Sequence, residues 1–344
     1  MPGQADIRSP SVIDSALNNG FLWQIPHNPT MNYKLPILSL AIAASVALWS
    51  VADRKKNVEN RPKSTKTNDA EDPNSPTAPF SRPQQIVRQA VKNVEVSVNL
   101  NTKVRQRVQL FGRQIAGAGS YRQWHDGSTI RFRFDLKTQI GDKTAHLMEF
   151  CDGRFHWSRR QLPTGSDLRR VDLRQVQLRL DEARRAGEPI PPQIGLTLPP
   201  DGLAHLLGQI ESSFSFTEME EQRIGQEGIP AWIVRGRWKP AAIRAAFPKL
   251  ADQVLKGRWE RLPEPVPHLV ELVLGNDQEL PLFPYRISYL RTSSGGEVRI
   301  MDLEFFAVSV NTQIVPSDFQ YDPGGQQVRD ATEDAIARLM PVSK

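Results

Sequence analysis

Cysteine is almost missing from this chain: Cys151 is the only one in 344 residues. No intrachain disulfide can form, so the fold has to rest on its core. Also missing are the local signatures of covalent and phosphate chemistry. There is no G-x-S-x-G elbow, no glycine-rich phosphate loop, no H-E-x-x-H and no D-x-D-x-D-G calcium loop. The six histidines, His27, His125, His146, His156, His205 and His268, are scattered. Cys151 with His146 and His156 comes nearest to a metal-ligand group, but the spacing matches no zinc rule. The residues therefore predict no catalytic group, no metal site and no cofactor. The net charge is +6. Its basic residues do not gather in a block interleaved with aromatics, which argues against a nucleic-acid partner.

Long hydrophobic runs are absent, with one exception. Leu35 to Ala52 (LPILSLAIAASVALWSVA) carries no charge and reaches the short end of membrane-spanning length, about 18 residues. Lys34 before it, and Ser50 and Ala52 at its end, also fit a secretory signal with a small-x-small cleavage site. The length of the run and the Arg54, Lys55, Lys56 cluster behind it favour an uncleaved anchor, because cations resist translocation. Met31 sits where a signal would begin. Residues 1–30 then read as a disordered extension and 31–52 as a signal anchor or signal peptide. Either reading puts the rest of the chain across or on a membrane, on the periplasmic or extracytoplasmic side. Residues 53–83 are charged, polar and Pro-rich, with too few large apolar residues to repay the entropy of ordering, and read as a disordered linker. Residues 84–344 remain as one folded domain.

In that domain strand signals dominate. Ile130, Phe132, Phe134 and Leu136 alternate with Arg131, Arg133, Asp135 and Lys137, the pattern of a half-buried strand. Further strands are expected over Val104–Ile115, Gly119–Trp124, Lys143–Phe150, Arg154–Arg159, Ser213–Ile224, Ala231–Trp238, His268–Leu274, Pro284–Arg291 and Glu297–Val310. Asp126-Gly127, Gly141-Asp142 and Asp152-Gly153 supply hairpin turns. Helical spacing appears over Gln84–Asn93, from Leu173 to Ala183, from Leu203 to Ile210, over Pro240–Phe247 and from Asp330 to Leu339. The order predicts an α+β fold in which an antiparallel meander carries a few covering helices.

Three strings add a resemblance. Gly117 to Gln123 (GAGSYRQ) carries the pattern G-x-Y-x-Q. Phe319-Gln320-Tyr321-Asp322-Pro323 reads F-x-Y-x-P, and Val328-Arg329-Asp330-Ala331-Thr332 reads V-x-D-x-T. With the element order, these resemble the lipoprotein-carrier family, the LolA/LolB-like fold. The resemblance implies a large curved antiparallel sheet, an unclosed β-barrel, with helices over its concave face and an apolar cavity between them. The chain departs from that family in its length, in its tether, and in lacking a Cys after the hydrophobic run.

The resemblance and the strand-borne aromatics together point to Phe132, Phe134, Trp157, Leu203, Leu207, Trp232, Phe283 and Tyr285 as an apolar lining for a lipid or lipoprotein acyl chain. The face of the strand at 129–137 is expected to meet the helix stripe at 203–210 across a space that lipid can enter. The function expected is a non-catalytic, envelope-tethered binding protein. The alternative is a sensor or protein-interaction module on the same fold. The membrane partner is met through residues 35–52.

Overall fold

A computed structural model describes residues 81–339, apart from positions 98, 111, 126, 128, 188–201, 294, 311 and 312. The hydrophobic run at 35–52 lies outside the described residues, as do residues 53–80 of the expected linker. Among the described residues no helix is long and apolar enough to cross a membrane.

Helix α1, Arg82–Val96, starts two residues earlier than the spacing predicted. Pro83 sits in its first turn, where a missing N–H is harmless. Pro83, Gln84, Val87, Ala90 and Val94 form its buried face.

Twelve strands follow in one sheet: β1 Asn99–Leu110, β2 Arg113–His125, β3 Ile130–Ile140, β4 Lys143–Cys151, β5 Phe155–Leu162, β6 Gly165–Asp172, β7 Phe214–Ile224, β8 Ile229–Trp238, β9 Leu269–Gly275, β10 Pro284–Ser293, β11 Gly296–Val310 and β12 Arg329–Asp330. Their spatial order is β12-β6-β5-β4-β3-β2-β1-β11-β10-β9-β8-β7. All neighbours are antiparallel except β12 on β6. β7 and β12 end the sheet without pairing to each other, so the barrel stays open. This is the α+β half-barrel that the element order predicted.

Interspersed are α2 Leu173–Ala186, α3 Gly202–Ser213, α4 Pro240–Ala246, α5 Ala251–Leu255 and α6 Thr332–Leu339. Asp172 caps α2 by accepting from the backbone N–H groups of Arg174 and Gln175, and Gly187 ends it in the left-handed conformation. Four elements differ from the sequence expectation. The strand expected over Val104–Ile115 is broken by the β1–β2 turn, where Gly112 takes φ +69°. β6, α5 and β12 were not foreseen. β6 (GSDLRRVD) is mostly polar and buries only Leu168 and Asp172, so alternation could not reveal it.

Strand alternation divides the side chains between two faces. On the inner face Val104, Tyr121, Phe132, Phe134, Leu136, Leu147, Ile287, Tyr289, Leu303 and Phe305 form one core with α1, α3, α4 and α5. The outer face carries two smaller clusters. Met148, Phe150, Trp157 and Leu168 are covered by Tyr321 and Val328 of the C-terminal segment, and Ala231, Ile233 and Val273 make the other.

The β7 edge is closed by side chains of the N-terminal helix. Ser81 Oγ donates to the Phe216 carbonyl at 2.7 Å, and Gln84 Oε1 accepts from the Phe216 N–H at 2.9 Å. Part of an otherwise free row of backbone groups is thereby satisfied.

Candidate functional site

The G-x-Y-x-Q string sets α3 against the sheet. A Cβ on Gly119 would stand 1.7 Å from the Asp135 carbonyl of β3, so only glycine permits this closeness of β2 and β3. Tyr121 is buried, and burial pushes its phenol pKa far upward, which keeps the O–H intact as a donor. That O–H donates to Gln123 Oε1 at 2.7 Å, while the oxygen accepts the Leu203 N–H at 3.1 Å, at the start of α3. Gln123 Nε2 in turn donates to the Val94 and Ser97 carbonyls at the end of α1. One strand therefore holds the ends of two helices. Gly202 takes φ +73°, and a Cβ there would come within 2.7 Å of Tyr121 Oη, so the helix sits directly on the ring.

Beside α3 the helices part. A groove of about 810 Å³ runs between α1, α2, α3 and the ends of β3 and β4. Val91, Ile130, Cys151, Leu173, Ala204 and Gly208 supply apolar surface, and Glu95, Arg174, His205 and Gln209 supply polar groups. The volume falls within the roughly 300–1,000 Å³ of small-molecule sites. Ala204, Gly208 and Ser212 recur every four residues along α3, so its groove side is made of small side chains.

Next to Cys151 the inner face turns polar. Cys151 pairs with His156, and Glu149 with Ser158, across β4 and β5. Glu149, His156 and Ser158 are all buried, yet Glu149 Oε2, His156 Nε2 and Ser158 Oγ have no hydrogen-bond partner. His156 Nε2 stands 3.8 Å from Glu149 Oε2, too far for a hydrogen bond. Buried polar atoms left this way carry a cost of about 1–3 kcal/mol each. Sequence inspection had picked out His156 and Cys151 only as weak metal candidates, and it missed Glu149 and Ser158.

The metal grouping does not converge. His146 lies on the opposite face of β4 from Cys151 and is hydrogen-bonded to Asp135 at 2.7 Å. Among the described residues no three His, Cys, Asp or Glu side chains are placed to hold a metal ion.

The structure brings five of the eight expected lining residues into the main core: Phe132, Phe134, Leu203, Leu207 and Phe283. Trp232 and Tyr285 pack against it half-buried. Burial and nearby Asp277 push the Tyr285 phenol up to about 12. Trp157 is a correction: it stands on the outer face, tilted against Tyr321 at 5.4 Å, because β5 pairs it with Arg170 and Phe150 and turns it away from Phe132. A second correction concerns the space between β3 and α3. Phe132, Leu203 and Leu207 are wholly buried within one core cluster, and the open groove lies beside them. None of the eight lines the groove; their neighbours Ile130 and Ala204 do. The available signal was the row of small residues on α3, which a search for large apolar side chains passes over.

No family model matches the chain, and no curated protein matches it. Several solved structures are similar to it. LprF from Mycobacterium bovis is 13% identical over 68% of this chain and 96% of its own, with a TM-score of 0.32. MucB is 12% identical over 70% of this chain and 64% of its own, with a TM-score of 0.34. A LolA superfamily protein from Nitrosomonas europaea is 10% identical over 70% of this chain and 98% of its own, with a TM-score of 0.30. At TM-scores this low the half-barrel rests on the chain's own strand order, and these likenesses add no weight.

Proposed function

We propose that the domain binds an acyl chain of a lipid or lipoprotein in the groove beside α3, non-covalently, while residues 35–52 hold it at a membrane with the domain on the extracytoplasmic side. The observation that carries this reading is the groove, in which apolar surface from three helices and two strands is bordered by polar groups. An acyl chain needs dry surface and little else, at about 0.8 kcal/mol per buried methylene. Glu95, Arg174, His205 and Gln209 suit the polar end of such a molecule. Binding of this kind requires no bond to be made or broken.

Gly208 provides the test. A Cβ added there meets only Val91 Cγ1, at 3.9 Å, so a side chain can leave the helix at this point toward the groove. Gly208→Leu also replaces a helical glycine, which favours the helix by roughly 0.5–1 kcal/mol. Native mass spectrometry of the full chain purified from cells is expected to show bound acyl species. Gly208→Leu is expected to lose them and to melt no lower than the delipidated parent. A parent chain without bound lipid, or a variant that retains it unchanged, would exclude the groove as an acyl site.

A further inference from the structure

The outer face of the sheet holds a second cavity, unrelated to the groove. Glu271 on β9 points outward yet is only 1% exposed, because arginines cover it. Arg235 of β8 grips Oε2 with Nε at 2.9 Å and an Nη at 2.8 Å. Arg286 of β10 and Arg299 of β11 each donate to Oε1, at 3.0 and 2.9 Å. Burial alone would raise the Glu271 pKa, but the Arg235 hydrogen bonds and the Arg299 and Arg286 charges outweigh it and hold the carboxyl below its ordinary value. The group is therefore a fixed anion. A bidentate Arg235 already satisfies one oxygen and balances the charge, so three arginines exceed what a buried carboxylate needs.

The excess faces outward. The arginines are the partly exposed layer and Glu271 is the floor. Arg223 of β7 joins them in the wall of a cavity of about 450 Å³, together with Ile224, Ile233 and Glu220. Its Nη1 donates to the Gly228 carbonyl at 2.9 Å and makes no bond to Glu271. The acidic groups near the rim hold the arginines loosely: Glu297 stands 3.8 Å from Arg235, and Asp302 stands 3.8 Å from Arg299 while accepting from Ser288 Oγ. Arg286 Nε is buried and has no hydrogen-bond partner. The guanidinium donors of Arg235, Arg286 and Arg299, from three strands around one open cavity, make a fork suited to a tetrahedral oxyanion.

We propose that the cavity bordered by Arg235, Arg286 and Arg299 binds a phosphate group, either as the free ion or as part of an anionic lipid headgroup. Glu271 is the positioning residue: it fixes all three guanidinium groups from below. The site lies across the sheet from the acyl groove and stands independently of it.

The experiment uses the full chain and inorganic phosphate at constant ionic strength, read by isothermal titration, with Arg299→Gln and Arg286→Gln as variants. Arg299→Gln leaves the Arg235 and Arg286 bonds to Glu271 in place, so it is expected to stay folded and to bind phosphate about tenfold more weakly, the loss of one charge-assisted hydrogen bond. Arg286→Gln is expected to weaken binding further. A second arm uses phosphatidylglycerol vesicles against phosphatidylcholine vesicles. Both parent and variant carry residues 35–52, so the difference between them isolates the cavity. Tighter association of the parent with phosphatidylglycerol, competed by phosphate, identifies the headgroup as the source; equal association of parent and variant with phosphate binding intact identifies the free ion. No measurable phosphate binding by the parent, or equal binding by a folded Arg299→Gln, overturns the proposal.

Discussion

Tyr121 shows how one atom can join two layers. Its oxygen accepts from the backbone at the start of α3 and donates to the glutamine that holds the end of α1. Tyr121→Phe keeps the ring and removes both bonds, leaving the Leu203 N–H without its acceptor in a buried setting. The expected cost is about 1–3 kcal/mol in denaturant unfolding, with the slope unchanged. A variant as stable as the parent would mean that the Leu203 N–H finds another acceptor. The G-x-Y-x-Q string was legible in the sequence, but its reason was not. The glycine answers to a carbonyl on β3 and the tyrosine to a helix 82 residues away, and neither contact leaves a local trace. The same limit hid Glu149 and Ser158. Each looks like an ordinary polar strand position until pairing sets both on the inner face.

At the level of elements, alternation and turn glycines made most strands legible. β3 is the clearest: Phe132, Phe134 and Leu136 are buried as the alternation marked them, while Ile130 is half-buried and Thr138 is buried without having been marked. Elements held by tertiary contact were harder to read. β6 pairs with β5 on one side and β12 on the other through mostly polar residues, so nothing in its own pattern marks it. The two C-terminal strings prove to be one strap across the outer face. Phe319 is buried, and Tyr321 stacks on Phe150 at 4.8 Å and leans on Trp157. Asp330 accepts from Arg170 at 2.9 Å and from the Thr332 N–H, and Thr332 Oγ1 accepts the Asp172 N–H. The Arg170 bond, then the Thr332 bonds, lower the Asp330 pKa from 3.8 to about 2. A folded-state pKa below the unfolded value means that the contribution is present above the unfolded pKa and lost as pH falls through the folded one. The melting-temperature gap between parent and Asp330→Asn is therefore expected to be constant above about pH 5, to close toward pH 2, and to shrink in high salt because the pair is exposed. An Asp330 carboxyl titrating near 4 by NMR would show that the strap is not held this way.

Across the whole molecule, the decisive feature is that the domain's N-terminal helix belongs to its core and to its edge together. Val87, Ala90 and Val94 are buried against the main core, while Ser81 and Gln84 satisfy Phe216 on β7. Composition alone set the domain start near residue 84, since Ser81 to Pro83 look like the polar chain before them. The hydrogen bonds of Ser81 move the functional boundary ahead of it. The expectation that residues 53–80 are an exposed linker can then be checked by limited proteolysis of the full chain. Cleavage should leave a stable fragment beginning between about residues 75 and 81, because backbone that is neither buried nor hydrogen-bonded is cut first. A fragment engineered to begin at Asn99 would uncover the apolar surface under α1 and free the Phe216 backbone groups. It is expected to aggregate through the exposed strand edge. Resistance to cleavage across 53–80 would remove the linker, and a soluble, stable fragment beginning at Asn99 would show that α1 is not needed to close the half-barrel.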